Sequence, residues 1–189
     1  ICKKTPMGNS LKNMHRQHGA MEYSIPPTDL EKLRNYRLQR LILKMEESDV
    51  AGLILFNQIN TRYATDVTNM QIWCSHYETR CVFVSIDGHV VLFDYANHPH
   101  LSEGIPSIND YRVLPALNFF GGGNRSFEFT KEFAAQISDL MKINGNKNKR
   151  LAIDRLSHTC CDALRAKGFE LIEGEQITET ARSIKSKEE

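Results

Sequence analysis

The most constraining feature of this sequence is a short apolar run that leads directly into a polar segment. Residues 52–56 read Gly-Leu-Ile-Leu-Phe, and residues 60–66 read Asn-Thr-Arg-Tyr-Ala-Thr-Asp. An apolar run of this length between polar residues is typical of a strand buried on both faces. We therefore predict a strand at 51–56 that ends in a compact polar turn, here called the pivot segment (residues 60–66). Open α/β sheets usually bind ligands at their carboxyl edge, so we expect any functional site beside this segment.

A long amphipathic helix is predicted before the strand at 51–56. Thr28 and Glu31 form a capping box, and leucines at spacings of three and four follow it. The basic residues of this helix are expected to form a solvated face: Arg34, Arg37, Arg40 and Lys44.

The residues after the pivot segment predict a mixed sheet. Two β-rich runs, 80–86 and 90–94, are joined by Asp87-Gly88, which indicates a hairpin whose two central residues both have positive φ. Further strands are predicted at 111–114, 151–153 and 169–172, with helices around 133–141, 157–167 and 177–184, and a flexible loop at 119–124. The predicted fold class is α/β, a three-layer sandwich with a mixed five- or six-stranded sheet flanked by helices.

Composition excludes several classes of protein. The net charge of +1 favours neither nucleic acid nor an anionic membrane as a partner. No apolar run approaches the roughly 20 residues that a membrane span requires. The five cysteines lack paired spacing, which indicates a reducing compartment, and we expect a cytoplasmic protein.

One short motif has the composition of a metal site. His98-Pro99-His100 lies close to Asp94, and two histidines with a carboxylate could bind a metal ion. Pro99 places the motif in a loop, and no third strong ligand is near in sequence. We therefore interpret the histidines as surface residues, and predict neither a metal site nor a catalytic residue in this chain.

A dense run of hydrogen-bonding and aromatic side chains spans the pivot segment and the residues that follow it. The run comprises Asn60, Arg62, Tyr63, Asn69, Gln71, Trp73, His76, Tyr77 and Arg80. Arginine can bind a carboxylate through two hydrogen bonds, and tryptophan and tyrosine offer flat contact area. This mixture suits a binding wall for a small polar ligand or a peptide end. The alternative, which the sequence leaves open, is that Tyr63 and Trp73 pack in a core or interface while the others cap turns.

Four motifs, in order, resemble one known family. They are the apolar strand with Asn-x-Arg-Tyr-x-Thr at 56–65, the hairpin at 82–94, Leu-Ala-Ile-Asp-Arg at 151–155 before a helix, and Ala-Arg-Ser-Ile-Lys-Ser at 181–186 before two glutamates. This arrangement resembles the amino-terminal domain of the creatinase/prolidase/aminopeptidase P superfamily, which has a ribonuclease H-like motif. Lys187 stands where proline is usual in that family.

The resemblance implies a division of the chain into three parts. Residues 1–29 are expected to be an amino-terminal extension, residues 30–185 the α/β domain, and residues 186–189 the start of an absent catalytic domain. Ser186 and Glu189 form a further capping box at the last residues, which favours a chain that continues. The divalent metal pair of the family would lie in that downstream domain, so no cofactor is expected in this chain.

The resemblance also implies a supporting role. In the family the amino-terminal domain is non-catalytic and mediates dimerisation. It also places residues over the active site of the neighbouring subunit. Tyr63, Trp73, His76 and Arg80 are the residues expected to contribute to the substrate pocket in trans. The expected partners are the chain's own catalytic domain, a second copy in a homodimer, and a small polar substrate or peptide end.

The sequence is compatible with three kinds of full-length protein that contain this domain. The first is a metal-dependent, Xaa-Pro peptidase-like hydrolase. The second follows from the Asn-Arg-Tyr-Ala-Thr and Asn-Met-Gln-x-Trp arrangement, which is also similar to the branch that contains bacterial dimethylsulfoniopropionate lyases. The third is a non-enzymatic peptide-binding module, because the large subunit of the FACT histone chaperone resembles this domain.

Overall fold

The computed structural model describes residues 27–68, 72–143, 145 and 147–189, without the side chains of residues 27, 28, 72 and 73. The predicted extension up to residue 26, the Thr28 side chain of the capping box, and Asn69 and Gln71 therefore lie outside the described part. The helices are α1 (Pro27–Glu47), α2 (Gln58–Thr65), α3 (Phe119–Gly122), α4 (Ser126–Ile143), α5 (His158–Ala166) and α6 (Glu175–Ser183). The strands are β1 (Gly52–Leu55), β2 (Cys81–Ser85), β3 (Val90–Asp94), β4 (Asp110–Val113), β5 (Arg150–Ile153) and β6 (Glu170–Glu173).

The strands form one six-stranded mixed sheet in the order β4-β3-β2-β1-β5-β6. Strand β2 is antiparallel to both of its neighbours, and the pairs β1–β5, β3–β4 and β5–β6 are parallel. Five strands therefore end at the same edge of the sheet, where β2 begins. The predicted strand ending beside the pivot segment is confirmed, with β1 at the centre of the sheet.

Two hydrophobic cores, one on each face of the sheet, produce the three layers. Side chains alternate along a strand, so Leu53 points into one core and Ile54 into the other. One core packs α4 and α5 against the sheet through Phe133 and Leu164, among others. The other packs α1, α2 and α6 through residues that include Leu41. The predicted α/β class, with helices on both faces of a mixed sheet, is confirmed.

The pivot segment was predicted to be a turn, and this prediction is wrong because residues 58–65 form helix α2. The side chain of Asn57 caps the helix by accepting a hydrogen bond from Ile59 N at 3.0 Å. Asp66 ends it in the left-handed conformation (φ 65°), and its N–H donates to Arg62 O. The sequence did not show the apolar periodicity of a helix, because buried positions of α2 are polar. Thr61 and Thr65 are buried and donate hydrogen bonds to backbone carbonyls.

Two glycine-containing segments also differ from the prediction. In the β2–β3 hairpin, Gly88 has φ +87° but Asp87 is not left-handed, and Gly88 N donates to Ser85 O at 2.9 Å. The longer loop needs only one left-handed residue, which glycine supplies. The segment predicted as a loop at 119–124 begins with the helical turn α3, since Asn118 Oδ1 accepts a hydrogen bond from Gly121 N.

Among the described residues, no helix combines the length and hydropathy that crossing a membrane requires.

Candidate functional site

The centre of the carboxyl edge is held together by the carboxylate of Asp154, which follows β5. Its Oδ1 accepts a hydrogen bond from Phe56 N at 2.7 Å, and its Oδ2 accepts from Asn57 N at 3.1 Å and from Asn60 Nδ2 at 2.9 Å. Burial raises the pKa of Asp154, although these three hydrogen bonds oppose the shift. The carboxylate fixes the end of β1 and the start of α2, so it acts as a structural anchor.

The same network reaches α6 through Asn60, and Tyr63 on the same helix makes a separate contact with α6. Asn60 Oδ1 accepts a hydrogen bond from Arg182 Nη1 at 2.5 Å, and Tyr63 Oη donates to Ala181 O at 3.3 Å. Tyr63 is only 7% exposed. Burial, followed by the nearby Glu189 carboxylate, raises the pKa of Tyr63 to about 12. Its hydroxyl therefore stays protonated and remains a donor at neutral pH.

A cleft of about 370 Å³ opens between α1, α2 and α6, beside Tyr63. We call it the cationic cleft, and it is lined by Arg37, Ile59, Arg62, Tyr63, Arg182, Lys185 and Glu189. The Arg37 guanidinium lies 5.4 Å from the centre of the Tyr63 ring and donates to Glu189 Oε1 at 3.0 Å. Among the described residues, four cations and a single carboxylate line this concavity.

The basic face of α1 was predicted to be solvated, but three of its arginines contact residues at or beyond the ends of α2 and α6. Arg34 donates to Asp66 Oδ2 at 2.8 Å, and Arg37 to Glu189. Arg40 donates to Ala181 O at 3.3 Å, near the carboxyl end of α6, where a cation is favoured. The three-residue spacing of these arginines on α1 was visible in the sequence. Their partners could not be predicted, because they are distant along the chain.

Arg80 lies in the interior and forms a buried ion pair. Its Nε donates to Asp94 Oδ2 at 2.7 Å, and both side chains are 2% exposed. His98 Nδ1 lies 3.4 Å from Asp94 Oδ1, and no hydrogen bond joins these two atoms. The His98 ring packs edge-on against Tyr95 and its side chain is 17% exposed, whereas His100 is exposed, as predicted for a surface histidine. Within the part of the chain that the structure describes, no three His, Cys, Asp or Glu residues are grouped to hold a metal ion.

An aromatic patch is exposed near the start of β2, and we define it as Tyr77, Phe119 and Phe120. Tyr77 stacks on Phe120 with ring centres 5.1 Å apart and an interplanar angle of 12°. The two phenylalanines are 73% and 76% exposed. Arg155 donates to Ser75 O at 2.6 Å and to His76 O at 3.1 Å, which fixes the backbone beside the patch.

The four residues predicted to contribute to a pocket therefore lie in different environments. Tyr63 lines the cationic cleft, Arg80 is buried, and His76 is exposed beside the aromatic patch. Trp73 belongs to the 3-10 turn Ile72–Ser75, and its side chain lies outside the described part. Sequence reasoning did not identify the Asp154 anchor or the cleft, because their members come from segments far apart in the chain.

The comparison with known proteins gives one family and two clear sequence relatives. The family described as Creatinase/Prolidase N-terminal domain matches residues 37–184. The dimethylsulfoniopropionate lyases DddP of Roseovarius nubinhibens and Roseobacter denitrificans are each 37% identical to this chain over 161 residues. The match covers 85% of this chain and 36% of each relative. The chain thus spans about a third of the length of these relatives.

A solved structure confirms the fold at low sequence identity. An Xaa-Pro aminopeptidase from Streptococcus pyogenes has a TM-score of 0.57 and 14% identity. The match covers 80% of this chain and 99% of that chain. At this level of identity, the likeness concerns the fold alone.

Proposed function

Because the chain belongs to the creatinase/prolidase amino-terminal domain family, we propose that it is the non-catalytic amino-terminal domain of a metal-dependent enzyme. In this role it supplies dimer contacts and part of the substrate pocket. The observation that carries the proposal is the aromatic patch beside His76, which this domain leaves uncovered. Large exposed aromatic side chains that are grouped together mark interaction surfaces, and aromatic residues are enriched in interface cores.

The charged groups at the carboxyl edge support a structural rather than a catalytic role for this domain. Asp154 accepts three hydrogen bonds from its own chain, and Asp94 is paired with Arg80. A catalytic carboxylate has to reach a proton of the substrate, and these two are already engaged. The reaction is therefore assigned to a downstream domain, where we expect the divalent metal pair.

The sequence relatives favour a lyase over a peptidase as the parent enzyme. The relatives at 37% identity are dimethylsulfoniopropionate lyases, whereas the likeness to the Xaa-Pro aminopeptidase is at 14% identity. We therefore propose that the parent acts on a small organic substrate of the dimethylsulfoniopropionate type. An Xaa-Pro peptidase-like hydrolase is the second candidate, and it is favoured only by the fold.

The four predicted pocket residues would contribute in two ways. His76 is exposed and next to the aromatic patch, so it could touch a substrate held by a partner subunit, and Trp73 lies three residues before it. Arg80 and Tyr63 are buried in this chain, so they would act by fixing the segments that present the pocket wall.

The test uses single substitutions in the full-length enzyme that contains this chain. We expect Trp73→Ala and His76→Ala to slow turnover about tenfold or more, which corresponds to about 1.4 kcal/mol of lost transition-state stabilisation. The melting temperature should change little. His89→Ala is the matched control, because His89 lies in the hairpin at the opposite edge of the sheet. A variant that melts early but keeps full turnover would contradict the proposed pocket role.

Dimer contacts need a separate measurement. Phe120→Ser should weaken self-association of the full-length enzyme, measured by light scattering over a concentration series, because it removes an exposed aromatic surface without disturbing a core. Phe127→Ser is the control, since Phe127 is also exposed (56%) but lies outside the defined patch. Equal effects of the two variants, or no effect of either, would contradict a dimer contact at the patch.

A further inference from the structure

We propose that the cationic cleft binds a small organic anion, a carboxylate or a phosphate monoester, through Arg62 and Lys185. This site is distinct from the aromatic patch, and it does not depend on the proposed parent enzyme. The inference starts from the charges that line the cleft and from what each of them already contacts.

Two of the four cations are neutralised inside the domain. Arg37 binds the Glu189 carboxylate at 3.0 Å, and Arg182 forms an ion pair with Glu179 as well as a hydrogen bond to Asn60. Their side chains are 18% and 17% exposed, so they form the floor of the cleft.

Among the described residues, the other two cations have no carboxylate partner. Lys185 Nζ donates to Arg182 O at 2.8 Å, and a carbonyl does not compensate the positive charge. Arg62 is exposed and has no ion pair among the residues that the structure describes. Like charges that share a concavity repel one another and raise the local concentration of counter-ions, so the cleft attracts anions.

The contact between Arg37 and Glu189 shows that the cleft accommodates a carboxylate. The Glu189 side chain is only 7% exposed, although the residue as a whole, with its backbone, is exposed. A guanidinium has a planar set of donors that matches carboxylate and phosphate oxygens. Arg62 carries the same group, lines the cleft and is exposed to solvent.

The dimensions and the apolar wall restrict the class of ligand. A volume of about 370 Å³ lies at the lower end of the range for small-molecule sites. Ile59 is 58% exposed and, with the Tyr63 ring, offers apolar contact beside the charges. These features fit a short aliphatic acid or a small phosphate monoester, and they disfavour neutral and cationic molecules.

The experiment is a titration of the 189-residue chain followed by amide chemical shifts in NMR spectra. The probes are propionate, inorganic phosphate and, as a neutral analogue of the same shape, propionamide. We expect saturable shifts at the cleft residues with the anions, none with propionamide, and weaker binding at higher ionic strength. Tighter binding of propionate would indicate a carboxylate ligand, and tighter binding of phosphate would indicate a phosphate ligand.

Matched charge variants test whether the cleft is responsible. Arg62→Gln with Lys185→Gln should weaken binding at least tenfold, whereas Lys142→Gln with Arg165→Gln should leave it unchanged. Both pairs remove two positive charges from exposed positions, but Lys142 and Arg165 lie on α4 and α5. Absence of saturable shifts with both anions, equal loss in the two variants, or binding of propionamide would each overturn the proposal. None of these results bears on the pocket role tested through Trp73 and His76.

Discussion

The Asp154 carboxylate accepts three hydrogen bonds at the carboxyl edge, and its replacement should destabilise the domain. Asp154→Asn keeps the size of the side chain but turns one acceptor into a donor that faces other donors. We expect a loss of about 1–3 kcal/mol in the free energy of unfolding, measured by chemical denaturation. Asp162→Asn is the control, because its exposed pair with Arg165 should contribute at most about 0.5 kcal/mol. Equal losses would contradict the anchor role.

Breaking the buried ion pair of Arg80 and Asp94 should lower the free energy of unfolding more than Asp154→Asn does. Arg80→Met leaves the Asp94 carboxylate in the interior without its cation, which costs about 3–5 kcal/mol when a buried pair is broken. Arg165→Met removes an exposed pair and should cost less than about 1 kcal/mol. Urea denaturation of both variants checks this prediction. A loss of unfolding free energy in Arg80→Met no larger than in Arg165→Met would contradict the prediction that the buried Asp94 carboxylate needs its cation.

Tyr63 makes stability depend on pH in the alkaline range. Its pKa is raised to about 12 from the ordinary value of 10, so the folded state disfavours the tyrosinate. The unfolded chain therefore ionises first, and stability is constant below about pH 10 and falls as the pH rises toward 12. Tyr63→Phe should reduce this fall, because it removes the ionisable hydroxyl. Denaturation midpoints between pH 9 and about pH 12 measure the difference.

At the scale of elements, the close approach of α6 to β5 depends on one glycine. A Cβ at Gly174 would lie 2.6 Å from the carbonyl carbon of Ile153 and 2.9 Å from Asp154 N. Gly174→Ala must therefore shift the start of α6, and we expect a loss of about 1–3 kcal/mol by thermal or urea denaturation. Gly145→Ala is the comparison, since Gly145 has φ 65° but open space around it. A smaller loss at Gly174 than at Gly145 would contradict the steric account.

The elements that could be predicted from the sequence are those in which burial determines residue type. Strands β1, β2 and β3 are buried along their whole length, and each contains an unbroken run of at least three apolar residues. Helix α2 could not be recognised, because Asn60, Thr61 and Thr65 are buried through hydrogen bonds rather than through apolar contact. Local propensity alone predicts a turn for such residues. The helix can be recognised only from their hydrogen-bond partners in the folded chain.

At the scale of the molecule, the fold was predictable but the candidate sites were only partly so. The order of motifs indicated the α/β domain and its family, and the structure and the comparisons confirm both. The cationic cleft joins Arg37 to Glu189, which are 152 residues apart, and the Asp154 anchor joins residues nearly 100 apart. Contacts of this range leave no periodic pattern in the sequence, so they appear only in the folded chain.

We propose that this domain presents a wall of the substrate pocket, and that a downstream domain carries the metals and the reaction. The most direct test measures turnover of dimethylsulfoniopropionate and of an Xaa-Pro dipeptide by the purified 189-residue chain, with and without added manganese, zinc or iron. The full-length enzyme under the same conditions is the positive control. We predict metal-dependent turnover by the full-length enzyme and none by this chain, whereas metal-dependent turnover by this chain alone would contradict the account.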